Sequence, residues 1–210
     1  MADFGRSPTL RNLFDRSPTP RIAHPPRTHH RDFYVATDGS FHQAQHRAGL
    51  GVVIETRDGT RVARCALAMD APDNNVAEYL ALHLGLDVLA ARAPPSARIG
   101  VLVDHDELAA HVNQAVLATN HPDWESMREF HVPAASENHW GGIRARIAGF
   151  EELRAASIDG DENPAHALAN APEAYEHVNR EPARCVLPEP VRTSGPDVPP
   201  PSRAHRSAGD

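Results

Sequence analysis

Three carboxylates stand at positions from which metal-dependent chemistry is possible. Asp38 ends one predicted strand, Asp104 ends another, and Glu78 lies one turn into a predicted helix. Converging carboxylates repel one another unless cations neutralise them, and oxygen ligands of this kind suit Mg2+ or Mn2+. Two such ions about 4 Å apart can activate a water and stabilise the leaving oxygen of a phosphodiester. These side chains therefore predict a two-metal hydrolytic site if the fold brings them together.

The elements that must position these carboxylates begin with three consecutive strands. The pattern predicts strands over 33–37, 49–54 and 61–68, joined by short turns. Asp58-Gly59 between the last two is a strong hairpin signal. Consecutive strands with such connections predict an antiparallel meander.

Helices and further strands follow the meander. Helical spacing runs from Asn74 to about Ala93, with Asp73 or Asn74 as the cap and Pro94-Pro95 as the stop. The later predicted elements are a strand at 99–103, helices at 106–118 and 140–150, a strand at 153–157 and a last helix near 163, with an irregular insertion over 119–138. This order predicts a mixed sheet with helices on its faces. If the first and fourth strands are neighbours, Asp38 and Asp104 project from the same end, and Glu78 reaches the same point.

Composition divides the chain into an ordered middle and two tails. Hydrophobic residues make up 40% of the chain but aromatics only 5%, so the core must consist mostly of small aliphatic side chains. Most of the 19 prolines lie near the ends. We therefore predict disordered tails at 1–31 and 176–210 around a domain at 32–175.

Charge is unevenly distributed. Lysine is absent, and residues 32–170 carry ten arginines against twenty acidic residues, a net charge of −10, whereas residues 1–31 carry +4. An acidic domain is poorly suited to nonspecific binding of phosphate backbones. Either the surface is adapted to high salt, or part of the charge is a carboxylate cluster that metal ions neutralise.

Few other site types fit the sequence. The two cysteines form neither a disulfide framework nor a zinc motif, and no signal peptide or membrane-spanning run is present. We expect a cytoplasmic protein with no membrane association, and a monomer by default.

Five motifs occur in a specific order and spacing. They are Asp38-Gly39-Ser40, Gly49-x-Gly51, Asn74-Asn75-x-x-Glu78-Tyr79-x-Ala81-Leu82, an apolar strand ending in Asp104, and Asn163-Pro164-Ala165-x-Ala167-Leu168-Ala169-Asn170. This succession resembles the type I ribonuclease H family in its compact bacterial and archaeal form, over nearly all of 32–170. The resemblance implies an α/β, ribonuclease H-like fold with a five-stranded mixed sheet and helices on both faces.

The resemblance also implies a function. Members of that family are metal-dependent endonucleases that cleave the RNA strand of RNA–DNA hybrids with two Mg2+ or Mn2+ ions. Asp38, Glu78 and Asp104 match their metal-binding carboxylates. Four further residues would contact the hybrid across its minor groove, where RNA displays its 2′-hydroxyls: Gly39, Ser40, Asn74 and Asn75.

The chain departs from the family pattern at the fourth ligand, where His166 stands at the position of an Asp. A neutral imidazole adds no negative charge, so the second metal should bind more weakly, and Mn2+ is favoured over Mg2+. Asp159, Asp161 or Glu162 could substitute for the missing carboxylate. For the third carboxylate we prefer Asp104 to Asp106, because Leu108 then falls on the buried helix face.

Two further functions therefore stand beside the hybrid ribonuclease. The first is a catalytically weakened or inactive nucleic-acid-binding module, motivated by His166, by the acidic domain and by the lack of a basic, Trp-rich helix. The second is a nuclease for structured RNA or DNA junctions on the same fold.

Overall fold

The computed structural model describes residues 8–20, 30–43, 47–120 and 132–180. Its strands are β1 (Phe33–His42), β2 (Arg47–Thr56), β3 (Arg61–Asp70), β4 (Arg98–Val103) and β5 (Glu152–Ser157). Its α-helices are α1 (Leu10–Arg16), α2 (Asn74–Ala90), α3 (Asp106–Asn120), α4 (Glu137–Ala148) and α5 (His166–Asn170). Short 3-10 helices lie at Ala134–Ser136, Gly160–Glu162 and Glu176–Arg180. Within these ranges no helix is long and apolar enough to span a bilayer.

The strands form one mixed sheet in the order β3-β2-β1-β4-β5. β1, β2 and β3 are antiparallel neighbours, whereas β4 pairs in parallel with both β1 and β5. Ala36 of β1 lies opposite Leu102 of β4. Asp38 and Asp104 each follow that pair by two residues, so both lie at the end of the parallel pairing between β1 and β4. The predicted strand end at Asp38 is wrong, because β1 continues to His42 through its antiparallel pairing with β2.

Helices cover both faces of the sheet, as predicted. One face packs against α2, α3 and α4 through aliphatic side chains such as Val35, Val52 and Leu82. The other face packs against α1 and α5, with Tyr34 and Leu168 among its buried residues. The predicted mixed α/β architecture is therefore confirmed.

The N-terminal helix α1 departs from the predicted disordered tail. Leu10, Leu13 and Phe14 are buried, and the side chain of Thr9 caps the helix by accepting from Asn12 N–H. The buried Glu55 carboxylate accepts from the Leu10 amide at 2.9 Å. Leu10, Leu13 and Phe14 lie at helical spacing, and their burial stabilises a helix despite the Pro-rich, basic sequence around them. Residues 8–20 are therefore part of the folded domain. Residues 1–7 and 21–29 lie outside the described residues.

Asparagine side chains close both edges of the sheet. Asn113 pairs with the backbone of Ala155 on β5, accepting from its N–H at 2.8 Å and donating to its carbonyl at 2.9 Å. Asn179 makes the same two bonds with Ala66 on β3, at 2.8 and 2.7 Å. Unpaired backbone groups on an edge strand can pair with a strand of another chain. These two amides occupy one backbone N–H and one carbonyl on each edge strand, which are then not available for such pairing.

The remaining differences concern element ends. The predicted last helix near Asn163 begins only at His166 and is five residues long. Of the predicted insertion at 119–138, residues 121–131 lie outside the described residues, and Ala134–Ser136 form a 3-10 helix leading into α4. Residues 176–180, placed by prediction in the C-terminal tail, form another 3-10 helix with Val178 buried; residues 181–210 lie outside the described residues.

Candidate metal centre

The centre lies where the parallel pairing between β1 and β4 ends. Oxygen or nitrogen atoms of Asp38, Asp104 and His166 lie within 4.8 Å of one another. Asp38 is almost fully buried, Asp104 is half-buried and His166 is exposed. The strand register brings the two aspartates together, and α5, packed across β2, supplies the histidine.

Glu78 lies beside this group. It belongs to the first turns of α2 and is 3% exposed. The backbone N–H of Gly39 donates a hydrogen bond to its carboxylate, and the charges of Asp104 and Asp38 act on it. The helix cap sets this position, because Asp73 Oδ1 accepts from Val76 N–H at 2.9 Å and fixes where α2 begins.

Burial and mutual repulsion raise the pKa values of two carboxyl groups at the centre. Loss of solvation, together with the contact with Asp104, raises the pKa of Asp38 to about 8. Burial, together with repulsion from Asp104 and Asp38, raises the pKa of Glu78 to about 9. Both shifts have the cause expected for carboxylates gathered without a counter-charge.

Three carboxylate oxygens at the centre are buried and accept no aligned hydrogen bond: Asp38 Oδ2, Glu78 Oε2 and Asp104 Oδ1. Buried polar atoms are nearly always satisfied, so several orphaned acceptors together need an explanation. A divalent cation would satisfy them and neutralise their charge. The residues present therefore fit a hard metal ion bound through oxygen.

His166 faces the centre with one ring nitrogen. Its Nδ1 lies 3.2 Å from Asp38 Oδ2, a contact that is not aligned as a hydrogen bond. The two atoms are close enough to be ligands of one ion. Asp159, Asp161 and Glu162 do not join the group of three. Glu162 instead pairs with Arg16 at 2.8 Å.

Asp104 and Asp106 have different surroundings. Asp106 opens α3 and accepts a short hydrogen bond from the Ser157 hydroxyl. Asp104 retains an unpartnered buried oxygen beside Asp38. The geometry favours Asp104 as the third carboxylate.

The residues predicted to contact substrate lie around the same end of the sheet. Asn74 and Asn75 are exposed at the start of α2. Ser40 donates its hydroxyl to the Ala169 carbonyl at 2.7 Å, which ties β1 to α5. A methyl group on Gly39 would lie 2.3 Å from the Ala77 carbonyl carbon, so this glycine permits the close approach of α2.

Asn163 is a contributor that the prediction left without a role. It is buried, donates to the Thr37 carbonyl at 3.0 Å, and accepts from Ala165 N–H at 3.0 Å. These bonds fix the start of the α5 region next to the residue that precedes Asp38. Its place at the head of the last motif was the only sequence signal, because the contact spans 126 positions.

Comparisons with known proteins agree with this architecture. A family model described as reverse transcriptase-like matches residues 36–128. The N-terminal ribonuclease H domain of a Mycobacterium tuberculosis protein is similar, with 22% identity and a TM-score of 0.51 over 66% of this chain and 95% of that chain. Ribonuclease H1 of Halobacterium salinarum gives 20% identity and a TM-score of 0.50 over 68% and 98%.

A viral structure extends the comparison. A foamy viral protease-reverse transcriptase in complex with an RNA/DNA hybrid is 14% identical with a TM-score of 0.55, over 74% of this chain and 22% of that chain. No curated protein sequence matches the chain. At these identities the structural matches establish the fold, while the function has to be argued from the site.

Proposed function

We propose that this chain, whose fold is ribonuclease H-like, is a metal-dependent endonuclease that cleaves the RNA strand of RNA–DNA hybrids. One observation carries the proposal: buried, unpartnered oxygens of Asp38, Glu78 and Asp104 converge where β1, α2 and β4 meet. That arrangement is unfavourable for a metal-free protein, and it is the arrangement that two-metal phosphodiester hydrolysis needs.

The carboxylates have distinct roles in this proposal. Asp38, the more buried of the two aspartates and the one contacted by both Asp104 and His166, would be the central ligand of the metal site. Glu78 and Asp104 would hold the metal together with it, and His166 would be the fourth ligand. Bound Mg2+ or Mn2+ would supply the positive charge that activates a water and stabilises the leaving oxygen.

The substrate assignment rests on the surface beside the centre and on the relatives. Asn74 and Asn75 expose amides at the start of α2, the helix whose backbone lies against Gly39 of β1. Exposed amides beside the centre could contact a shallow minor groove with 2′-hydroxyls. The foamy viral relative was solved with an RNA/DNA hybrid. A hybrid is therefore the substrate we infer. A cytoplasmic location remains an expectation from the cysteine content.

His166 supports one competing function, a nucleic-acid-binding module with weakened or no catalysis. It is 47% exposed and adds no negative charge where the related pattern has an aspartate. Its direct contact with Asp38 favours the enzyme, because a ring uninvolved in the centre would have no reason to lie there. If the module is correct, a His166→Asp variant should gain hybrid cleavage that the parent lacks.

The test uses labelled RNA–DNA hybrid, RNA duplex and DNA duplex, with Mg2+ and Mn2+ supplied separately. We expect cleavage of only the RNA strand of the hybrid, and a loss of at least a hundredfold in the Asp38→Asn variant. Asp70→Asn is the matched control, because Asp70 is an exposed carboxylate at the end of β3. Equal cleavage by the parent and Asp38→Asn would refute the assignment, and hybrid binding without cleavage under both metals would favour the module.

A further inference from the structure

The imidazole of His166 is contacted on both of its nitrogens. Nδ1 faces Asp38 Oδ2 at 3.2 Å, whereas Nε2 lies 2.7 Å from the side-chain amide nitrogen of Asn170, which is a hydrogen-bond donor. His166 and Asn170 are the first and last residues of α5, one helical turn apart on the same side. The second contact lies outside the group of metal-ligating side chains.

The ring depends on this contact for its orientation. His166 is 47% exposed, so packing alone does not fix the rotation of its side chain. The backbone is held, since His166 N–H donates to the Asn163 carbonyl at 3.0 Å. Within the described residues, the Asn170 amide is the hydrogen-bond partner of Nε2.

A histidine that binds a metal needs a hydrogen-bond partner on its other ring nitrogen, and Asn170 is placed to be that partner. A coordinating ring nitrogen must offer its lone pair, so the other nitrogen carries the proton and needs an acceptor. An asparagine amide has both a donor and an acceptor end, and turning it over changes which end faces the ring. Asn170 can therefore hold the ring in the same place whether Nδ1 carries a proton or faces a cation.

We propose that Asn170 is a positioning residue that holds His166 with Nδ1 directed at the metal centre. This inference rests on the proposed function, because it assumes that the centre binds a divalent cation. Asn170 itself is exposed and does not belong to the group of side chains that could hold the ion. Its effect passes through the orientation and tautomer of His166.

Three variants separate positioning from charge and from folding. Asn170→Leu keeps the side-chain size and removes both hydrogen-bonding ends. Asn170→Asp keeps only acceptors and should favour the ring with its proton on Nε2. Ala171→Asp, at the next residue, adds the same negative charge in the same groove without the Nε2 contact.

The experiment measures Mn2+ binding by calorimetry and the His166 tautomer by nitrogen-15 NMR in the metal-free protein, with melting temperatures as a folding check. For Asn170→Leu we expect Mn2+ affinity to fall about tenfold or more, the range found for partners of metal-bound histidines. For Asn170→Asp we expect proton occupancy on Nε2 and an affinity at or above that of the parent, beyond any change in Ala171→Asp.

Unchanged Mn2+ affinity and tautomer in a folded Asn170→Leu would overturn the inference, as would equal gains in Asn170→Asp and Ala171→Asp. Failure of Mn2+ to bind the parent would also overturn it. Hybrid cleavage is measured separately on the parent: Mn2+ binding that depends on Asn170, without cleavage, would refute the proposed function and leave the positioning role supported.

Discussion

The glycines of β2 are required by the proximity of α5. A methyl group on Gly51 would lie 2.2 Å from the Ala165 carbonyl oxygen, and one on Gly49 would lie 1.8 Å from that of Ala169. Backbone therefore contacts backbone where α5 brings His166 to the centre. The Gly49-x-Gly51 motif thus serves the site indirectly, by allowing its helix to approach the sheet.

Gly51→Ala should destabilise the protein by about 1–3 kcal/mol, because a buried backbone cannot move away as a flexible side chain can. The measurement is denaturant unfolding in the metal-free state. Gly141→Ala is the control, since nothing lies within 4 Å of a methyl group there and α4 should gain from alanine. If both variants unfold at the parent midpoint, the close approach of α5 has no energetic consequence.

The raised carboxyl pKa values predict a pH dependence of stability without metal. The pKa of Asp38 is about 8 and that of Glu78 about 9, against ordinary values of 3.8 and 4.5. Between about pH 4 and pH 9, Asp38 and Glu78 hold protons in the folded protein that the unfolded chain has released. Their contribution to the free energy of unfolding therefore falls as pH rises from about 4 to about 9. Metal binding should reverse the effect by neutralising the carboxylates.

Asp38→Asn should therefore be more stable than the metal-free parent at pH 8.5, by about 1–3 kcal/mol, the usual cost of an unsatisfied buried polar group. At pH 6 the difference should shrink, because the parent carboxyl is then protonated. Thermal unfolding with a chelator at both pH values checks this, and saturating Mn2+ should stabilise the parent but not the variant. A parent that is more stable than the variant at pH 8.5 would contradict the prediction.

At the scale of elements, α1 is a structural part of the domain. Its apolar side chains cover the sheet face opposite α2, and the chain after it continues along the edge strand, where the Pro18 carbonyl accepts from Ser157 N–H at 2.8 Å. Arg16 then reaches Glu162 in the loop that precedes α5. The segment thus supports the sheet and the loop on the side of His166.

Leu13→Ala should cost about 2–4 kcal/mol, the usual range for a buried leucine. Chemical denaturation gives the value. Leu67→Ala on β3 is the matched control, because Leu67 is 37% exposed and its truncation should change stability by less than about 0.5 kcal/mol. A change of similar size in both variants would mean that α1 is not docked in solution.

The elements differ in how far the sequence could predict them. β1 to β4 and α2 follow from alternation, a helix cap and strong turn residues, which are local signals. α1 was missed because its three apolar residues lie in a basic, Pro-rich segment. The convergence of Asp38 and Asp104 was predictable from strand order, whereas the contact of Asn163 with Thr37 depends on how the segment before α5 lies on the sheet, and no local pattern encodes that.

At the scale of the whole molecule, charge limits how the chain can bind a polyanion. Residues 32–170 carry a net charge of −10. Arg47, the arginine in the groove beside α5, is partly neutralised by Glu173 at 3.5 Å. Few cations are thus available to replace counterions on a phosphate backbone, and metal ions at the centre have to supply part of the attraction.

Hybrid affinity should therefore depend weakly on salt. Each phosphate contact contributes a slope near −0.9 in a plot of log affinity against log salt, so about two contacts predict a loss of roughly tenfold between 50 and 200 mM. Fluorescence anisotropy with the parent protein and a labelled hybrid whose RNA strand is chemically resistant to cleavage, at constant Mn2+, measures the slope. Arg47→Ala should make the slope shallower by about one if that arginine is a phosphate contact, while Arg144→Ala on α4 should leave it unchanged. A thousandfold loss would show that many more cations engage the hybrid than the acidic domain offers, and the basic residues of 1–31 would then be the first to remove.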